Sequence, residues 1–337
     1  EFARIERSYK AVPAERQALL PTYGQTRKAL DEKRIFDLFD GFRDIVPQGS
    51  VMASLGDHTR LASLSNCVVI PAPVDSYGGI FRNDQQLAQL FKRRCGVGFD
   101  LSTLRPEGAA VSNAARTSTG AVSFMERFSN TTREVAQKGR RGALMLTMDI
   151  AHPDVEHFIT IKQDLMKVTG ANISVRVSDE FLQAVEDDAE YTHRWPIDSK
   201  TPSVTKSVRA RELWDTLIKC AHHSAEPGII FWDRQHKYST SSVYPGFKNE
   251  STNPCGEIAM QGGDSCRLIA INLYSFVTDA FTPKARFDHK RLAKVTYEAQ
   301  RLMDDLVDLE LEAVERILVK IDNDPEPDNV KRVERET

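Results

Sequence analysis

The chain has 337 residues, 41% of them hydrophobic and 28% charged, and its 45 basic and 48 acidic residues leave a formal net charge of −3. That balance describes a globular α/β protein of one large domain or two smaller ones, and no global field recommends nucleic acid or a membrane as partner. No run of about 18 apolar residues occurs, and Glu1-Phe2-Ala3-Arg4 lacks the apolar core of a signal peptide, so a cytoplasmic protein is expected.

Residues 1–46 read as a polar helical segment with an apolar stripe at Ile35, Phe36, Leu38, Phe39 and Phe42. A turn-rich stretch follows, then a short buried strand from Cys67 to Ile70 that ends at Pro71. Asp75-Ser76 precede a helix from about Asp84 to Arg94, and Gly96 and Gly98 then permit either a tight turn or close backbone approach to a ligand. Ala121–Arg127 reads as helical. After it Gln137, Lys138, Arg140 and Arg141 alternate with glycines, as either a solvated charged loop or a flexible basic loop suited to phosphate.

His152-Pro153-Asp154 opens another helix. Ile173–Val177 reads as a strand, and the helix behind it has Ser178 as its cap with Asp179 and Glu180 at the positive end. Residues 185–210 look like a polar insertion or linker, Leu213–Ala225 is helical, and Pro227–Phe231 is a further strand. Strands alternating with helices point to a mostly parallel sheet. A polar connection from Tyr238 leads to Asn253, Leu268–Leu273 forms an apolar strand, and Asp288–Ile321 is a long amphipathic helix or helix pair.

Five cysteines (Cys67, Cys95, Cys220, Cys255, Cys266) are dispersed and odd in number, which argues against a secreted disulfide framework. No C-x-x-C or His-x-x-x-His spacing suggests zinc. The stretch Asn253-Pro254-Cys255-Gly256-Glu257 sets an amide, a thiol and a carboxylate at every second position. Pro254 and Gly256 between them mark a shaped loop, and in an extended loop the three side chains would project to one side toward a single small ligand.

Taken in order, SNC at 65–67, DS at 75–76, GVGFDLSTLRP at 96–106, GRRGA at 139–143, HPD at 152–154, NPCGE at 253–257 and the later Cys266 resemble the large catalytic subunit of ribonucleotide reductase. The resemblance covers nearly the whole chain from about residue 47. The spacing of 11 residues between Cys255 and Cys266 looks like the adenosylcobalamin-dependent class more than the class whose radical comes from a separate metal-containing subunit. Cys95 departs from the pattern, standing where the family often has glycine.

The resemblance implies a ten-stranded α/β barrel of two parallel halves, with a thiyl cysteine at the tip of a central finger loop. Residues 1–46 would be an N-terminal helical segment. Residues 47–252 would form the first half-barrel with the effector-specificity region, and residues 253–337 the finger tip, the first strand of the second half-barrel and a long helix. The implied activity is that of a ribonucleoside-diphosphate reductase. Cys255 would abstract the ribose 3′-hydrogen, Glu257 would take the 3′-hydroxyl proton and Asn253 would hold the ribose hydroxyls. Cys67 and Cys266 would supply the reducing equivalents and finish as a disulfide.

By the same resemblance Ser65, Asn66, Gly96 and Gly98 would meet the substrate, and Asp75 and Ser76 would meet a nucleoside triphosphate effector near a homodimer interface. Gln137, Lys138, Arg140 and Arg141 would relay effector identity. Adenosylcobalamin as cofactor and an external dithiol as reductant are expected, as is a complementary C-terminal half to complete the barrel. The alternative of another class is a non-catalytic, nucleotide-binding remnant. Retention of Asn253, Cys255, Glu257, Cys67 and Cys266 favours the enzyme.

Overall fold

The computed structural model describes residues 1–9, 28–135 and 142–337. They divide into two compact units, Glu1–Asn66 with Arg267–Asp324 and Cys67–Cys266 with Pro325–Thr337. These boundaries differ from the divisions at 46/47 and 252/253 expected from sequence, because the finger stays with the sheet that precedes it. No described helix is long and apolar enough to cross a membrane.

The second unit is an α/β layer around a six-stranded sheet. Its strands are β1 (Cys67–Val69), β2 (Gly96–Asp100), β3 (Leu144–Asp149), β4 (Asn172–Val177), β5 (Gly228–Phe231) and β6 (Ser265–Cys266). They lie in the order β5-β4-β3-β2-β1-β6. β1 to β5 run parallel, while β6 returns antiparallel along β1. Parallel neighbours need crossovers, and helices α1 (Tyr77–Lys92), α2 (Met125–Glu134), α3 (Val155–Thr160), α4 (Asp179–Glu186) and α5 (Ala210–Ser224) occupy the connections.

Their apolar stripes bury one face of the sheet. Phe91, Phe99, Phe128, Leu146, Phe158, Val175 and Phe181 are fully enclosed, and Phe99 meets Phe128 edge to face at 5.0 Å between centroids. β3 is a near-continuous buried run, the pattern of a parallel strand hidden on both faces, because residues 251–256 lie against its other face.

Several elements differ from expectation. α1 starts at Tyr77, where the Ser76 side chain accepts the Gly79 amide at 3.0 Å; Gly78 and Gly79 lower local helix propensity and mask its first turns in the sequence. Gly96 and Gly98 lie inside strand β2, not in a turn. The expected linker at 185–210 contains a paired hairpin, Glu190–Trp195 with Val204–Arg209. Its inward residues include Tyr191 and His193, so it carries no aliphatic alternation to reveal it.

The first unit packs helices Phe2–Ser8 and Glu32–Phe39 with the 35-residue helix His289–Asn323. Phe2, Ile5, Leu38, Ile45, Leu302, Leu306 and Leu309 form its core. Ile45–Pro47 pairs antiparallel with Ile269–Ile271, which is the apolar strand expected at 268–273. Phe36 and Phe42, expected in the apolar stripe, are 65% and 47% exposed; Ile35 and Leu38 take the inward face instead. Glu6 and Arg301 make a buried ion pair within this unit.

Candidate active site

Asn253, Cys255 and Glu257 lie on a finger, Glu250 to Met260, that crosses β2, β3 and β4. Ser251–Thr252 pairs antiparallel with Ala259–Met260, giving the finger a short rigid base. At Gly98 a Cβ would stand 1.8 Å from the Thr252 carbonyl oxygen, so only glycine lets the finger lie against β2. The space above Gly98 is therefore taken by the protein's own backbone and not by a ligand. Thr147 of β3 shares a hydrogen bond with Ser251 at 2.9 Å and donates to Asp100 at 2.9 Å. Arg176 of β4 donates to the Glu250 carbonyl at 2.8 Å.

The tip closes on itself as a turn. The Asn253 amide donates to the Ile258 carbonyl at 3.1 Å, the Ile258 amide donates to the Asn253 side-chain oxygen at 3.1 Å, and the Gly256 amide donates to the Asn253 carbonyl at 3.0 Å. Gly256 sits at φ +86°, a backbone shape that side chains disfavour. In consequence Asn253 is fully enclosed whereas Cys255 and Glu257 are exposed. The extended arrangement with three side chains on one side does not form. The Asn253 amide nitrogen instead turns inward to the Cys67 sulfur, at 3.9 Å.

Cys67 and Cys266 face each other directly across the β1–β6 ladder, with Ser265 opposite Val68. Opposed residues of an antiparallel pair lie about 4.5–5.5 Å apart at Cα, inside the range a disulfide spans. A hydrogen bond to Cys266, burial and the Cys266 charge push the Cys67 thiol far up, opposed by Asn253, and the Glu257 carboxylate pushes the same way. The Cys255 thiol is also raised, first by burial and then by Glu257 and Cys67. Both sulfurs therefore rest as S–H at neutral pH, and Glu257 lies within electrostatic reach of both.

Asp75 and Ser76 line a cavity of about 270 Å³ with Ile80, Arg105, Ser118 and Phe124. Asp75 accepts from the Arg105 backbone at 3.0 Å and from its guanidinium at 2.7 Å. Gln137, Lys138, Arg140 and Arg141 lie outside the described residues. Gly96 stands opposite Cys67 in the register. Ser65 and Asn66 belong to the first unit, where Ser65 donates to Glu310 at 3.2 Å and Asn66 accepts the Ser50 amide at 3.3 Å. Cys220 is buried in the core, and Cys95 is buried ahead of β2.

Residues 65–323 match the family model described as the ribonucleotide reductase barrel domain. The chain belongs to the ribonucleotide reductase family. The vitamin B12-dependent ribonucleoside-diphosphate reductase of Thermoplasma acidophilum is 36% identical over 276 residues, covering 81% of this chain and 34% of that protein. The enzyme of the same description from Mycobacterium tuberculosis is 34% identical over 269 residues, 79% of this chain and 37% of that protein. The ribonucleoside-diphosphate reductase large subunit of Caenorhabditis elegans is 24% identical over 281 residues, 75% of this chain and 35% of that protein. The chain thus spans about a third of the length of these reductases.

Within the reductase fold, sequence reasoning missed the residues that seat the finger: Thr147, Asn172 and Arg176. A signal was present for Arg176, a charge inside an otherwise apolar strand, which must find partners when buried. It pairs with Asp100 at 3.2 Å and Asp149 at 3.4 Å.

Proposed function

We propose that this chain carries the catalytic finger and redox cysteines of a ribonucleotide reductase, reducing ribonucleotides to 2′-deoxyribonucleotides by thiyl-radical chemistry. The observation that carries the reading is the pairing of Cys67 opposite Cys266 beside a tip whose Cys255 is the exposed member of the cysteine set. One thiol is reachable from outside, and two buried thiols are placed to oxidise together.

In this mechanism Cys255 acts as a thiyl that takes the 3′-hydrogen, because a weak S–H bond exchanges hydrogen reversibly with carbon. Glu257 receives the 3′-hydroxyl proton as general base. The 2′-hydroxyl leaves as water with one proton from the Cys67–Cys266 pair, and a hydrogen atom from the pair takes its place on the 2′-carbon. The remaining electron, with the proton returned by Glu257, restores the 3′-hydroxyl as the two sulfurs close as a disulfide. Cys255 finally returns that hydrogen to the 3′-carbon and is left again as the thiyl. Asn253 holds the finger tip shut and reaches Cys67, in addition to any contact with the ribose. Ser65, Asn66 and Gly96 remain proposed substrate contacts.

The residues fit a cofactor that generates a radical at an exposed, protonated thiol. A cavity of about 400 Å³ beside Gly256, walled by Ile229, Phe231, Arg234 and Tyr238, opens next to the Cys255 loop; adenosylcobalamin, which the names of the relatives suggest, is several times larger, so this cavity would receive only the part of it that faces Cys255. When bound, that group supplies the radical that Cys255 carries. The five parallel strands β1 to β5 stand for the first half of a ten-stranded barrel, which a complementary C-terminal half completes. The cavity at Asp75 and Ser76 would take a nucleoside triphosphate effector near a homodimer interface, with Gln137, Lys138, Arg140 and Arg141 relaying its identity. Effector and substrate affinities must then be coupled reciprocally.

The test is reconstitution: this chain, a complementary C-terminal half, adenosylcobalamin, an effector and a dithiol should form deoxynucleotide. Cys255→Ser should abolish turnover and leave effector binding unchanged. Verified assembly with no product, or activity retained by Cys255→Ser, contradicts the reading.

A further inference from the structure

The hydrogen bonds inside the finger tip fix its shape but not its place over the sheet. Its base is seated by Gly98, Thr147 and Arg176. At the tip, Asn172, the first residue of β4, donates from its side-chain amide to the Pro254 carbonyl at 2.8 Å. That oxygen belongs to the peptide plane leading into Cys255, so holding it holds the nitrogen and Cα of Cys255.

Asn172 and Arg176 are four residues apart on one strand and so share a face of the sheet. The two grips are about 13 Å apart along β4, one at the tip and one at the Glu250 carbonyl. A single strand therefore spans the finger from end to end. Pro254 has no N–H to offer, which leaves its carbonyl as the one backbone handle at that position.

We propose that Asn172 is a positioning residue that sets the location of Cys255, acting through the Pro254 carbonyl without touching substrate. The inference rests on the reductase reading for its catalytic meaning, but the clamp itself is measurable without turnover. Asn172 is exposed, so replacing it leaves the core intact.

The experiment compares the parent chain with Asn172→Ala, Asn172→Asp and Asn172→Gln by hydrogen exchange at residues 253–258 and by alkylation of Cys255 at fixed pH. Asn172→Asp keeps the shape but has no donor when ionised, and Asn172→Gln keeps a donor. Loss of one hydrogen bond predicts exchange and alkylation faster by about two- to tenfold in Ala and Asp, with partial recovery in Gln and no change in β3 or β4. In the reconstituted enzyme kcat should fall with KM little altered. Unchanged tip exchange in Ala and Asp, or faster exchange spread over the whole sheet, would overturn the clamp. A loosened tip in a chain whose parent never turns over would instead refute the reductase reading and leave the clamp standing.

Discussion

Cys255 combines exposure with a raised thiol pKa, and that combination suits a hydrogen-atom carrier better than a nucleophile. Thiolates, not thiols, attack electrophiles. The burial of its surroundings and the Glu257 carboxylate hold Cys255 above its ordinary 9.0, so its alkylation by iodoacetamide should stay slow through pH 8 despite its accessibility. Alkylation titrating near pH 7 would contradict the electrostatic account. Glu257→Gln removes both a proton acceptor and a nearby negative charge. It should lower turnover by about 10²–10⁴-fold, the usual range for a lost general base, and bring the Cys255 pKa down. Rates for the parent and variant, with a pH titration of the thiol, separate the two effects.

The finger and the strands beneath it are one mechanical element. Gly98→Ala sets a methyl group where the Thr252 carbonyl lies 1.8 Å away. The finger must lift, with an expected loss of about 1–3 kcal/mol in denaturant unfolding and faster exchange at residues 251–260. Little of that contact was legible in the sequence, where the two glycines fit a turn as well as a strand. Local backbone preferences cannot report that a segment some 150 positions later lies on top of them. Cys67 and Cys266 show the opposite case. Their motif context implied a pair, and the ladder between β1 and β6 supplies the register that sequence lacked. Strand β3 and the hairpin at 190–195 and 204–209 escaped because one shows no polar–apolar alternation and the other hides aromatic and imidazole rings within a polar string. Asp75 and Ser76 were legible as motif residues, but the cavity around them draws in Arg105, Ser118 and Phe124 from later segments.

At the scale of the whole molecule, the fold carries a built-in acid limit. His193 is fully enclosed, and burial, with Lys206 and His152 nearby, lowers its pKa from 6.5 to about 4. The unfolded chain binds a proton there below pH 6.5 while the folded chain does not until about pH 4, so stability falls as pH drops through that window. The contribution at stake is roughly 3 kcal/mol. His193→Phe should flatten the slope of unfolding free energy between pH 4 and 6.5 in denaturant titrations; an unchanged slope would contradict it. The two compact units each keep their own core, and the Cys67–Cys266 pair, the finger and the cavity at Asp75 and Ser76 all belong to the unit Cys67–Cys266 with Pro325–Thr337. The most direct test of the central claim is a single turnover of the reconstituted enzyme without external dithiol, followed by mass-spectrometric mapping of disulfides. One Cys67–Cys266 disulfide per deoxynucleotide, with Cys255 still a thiol, is the predicted result. Product formed without that disulfide, or with Cys255 in the bond, would contradict the account.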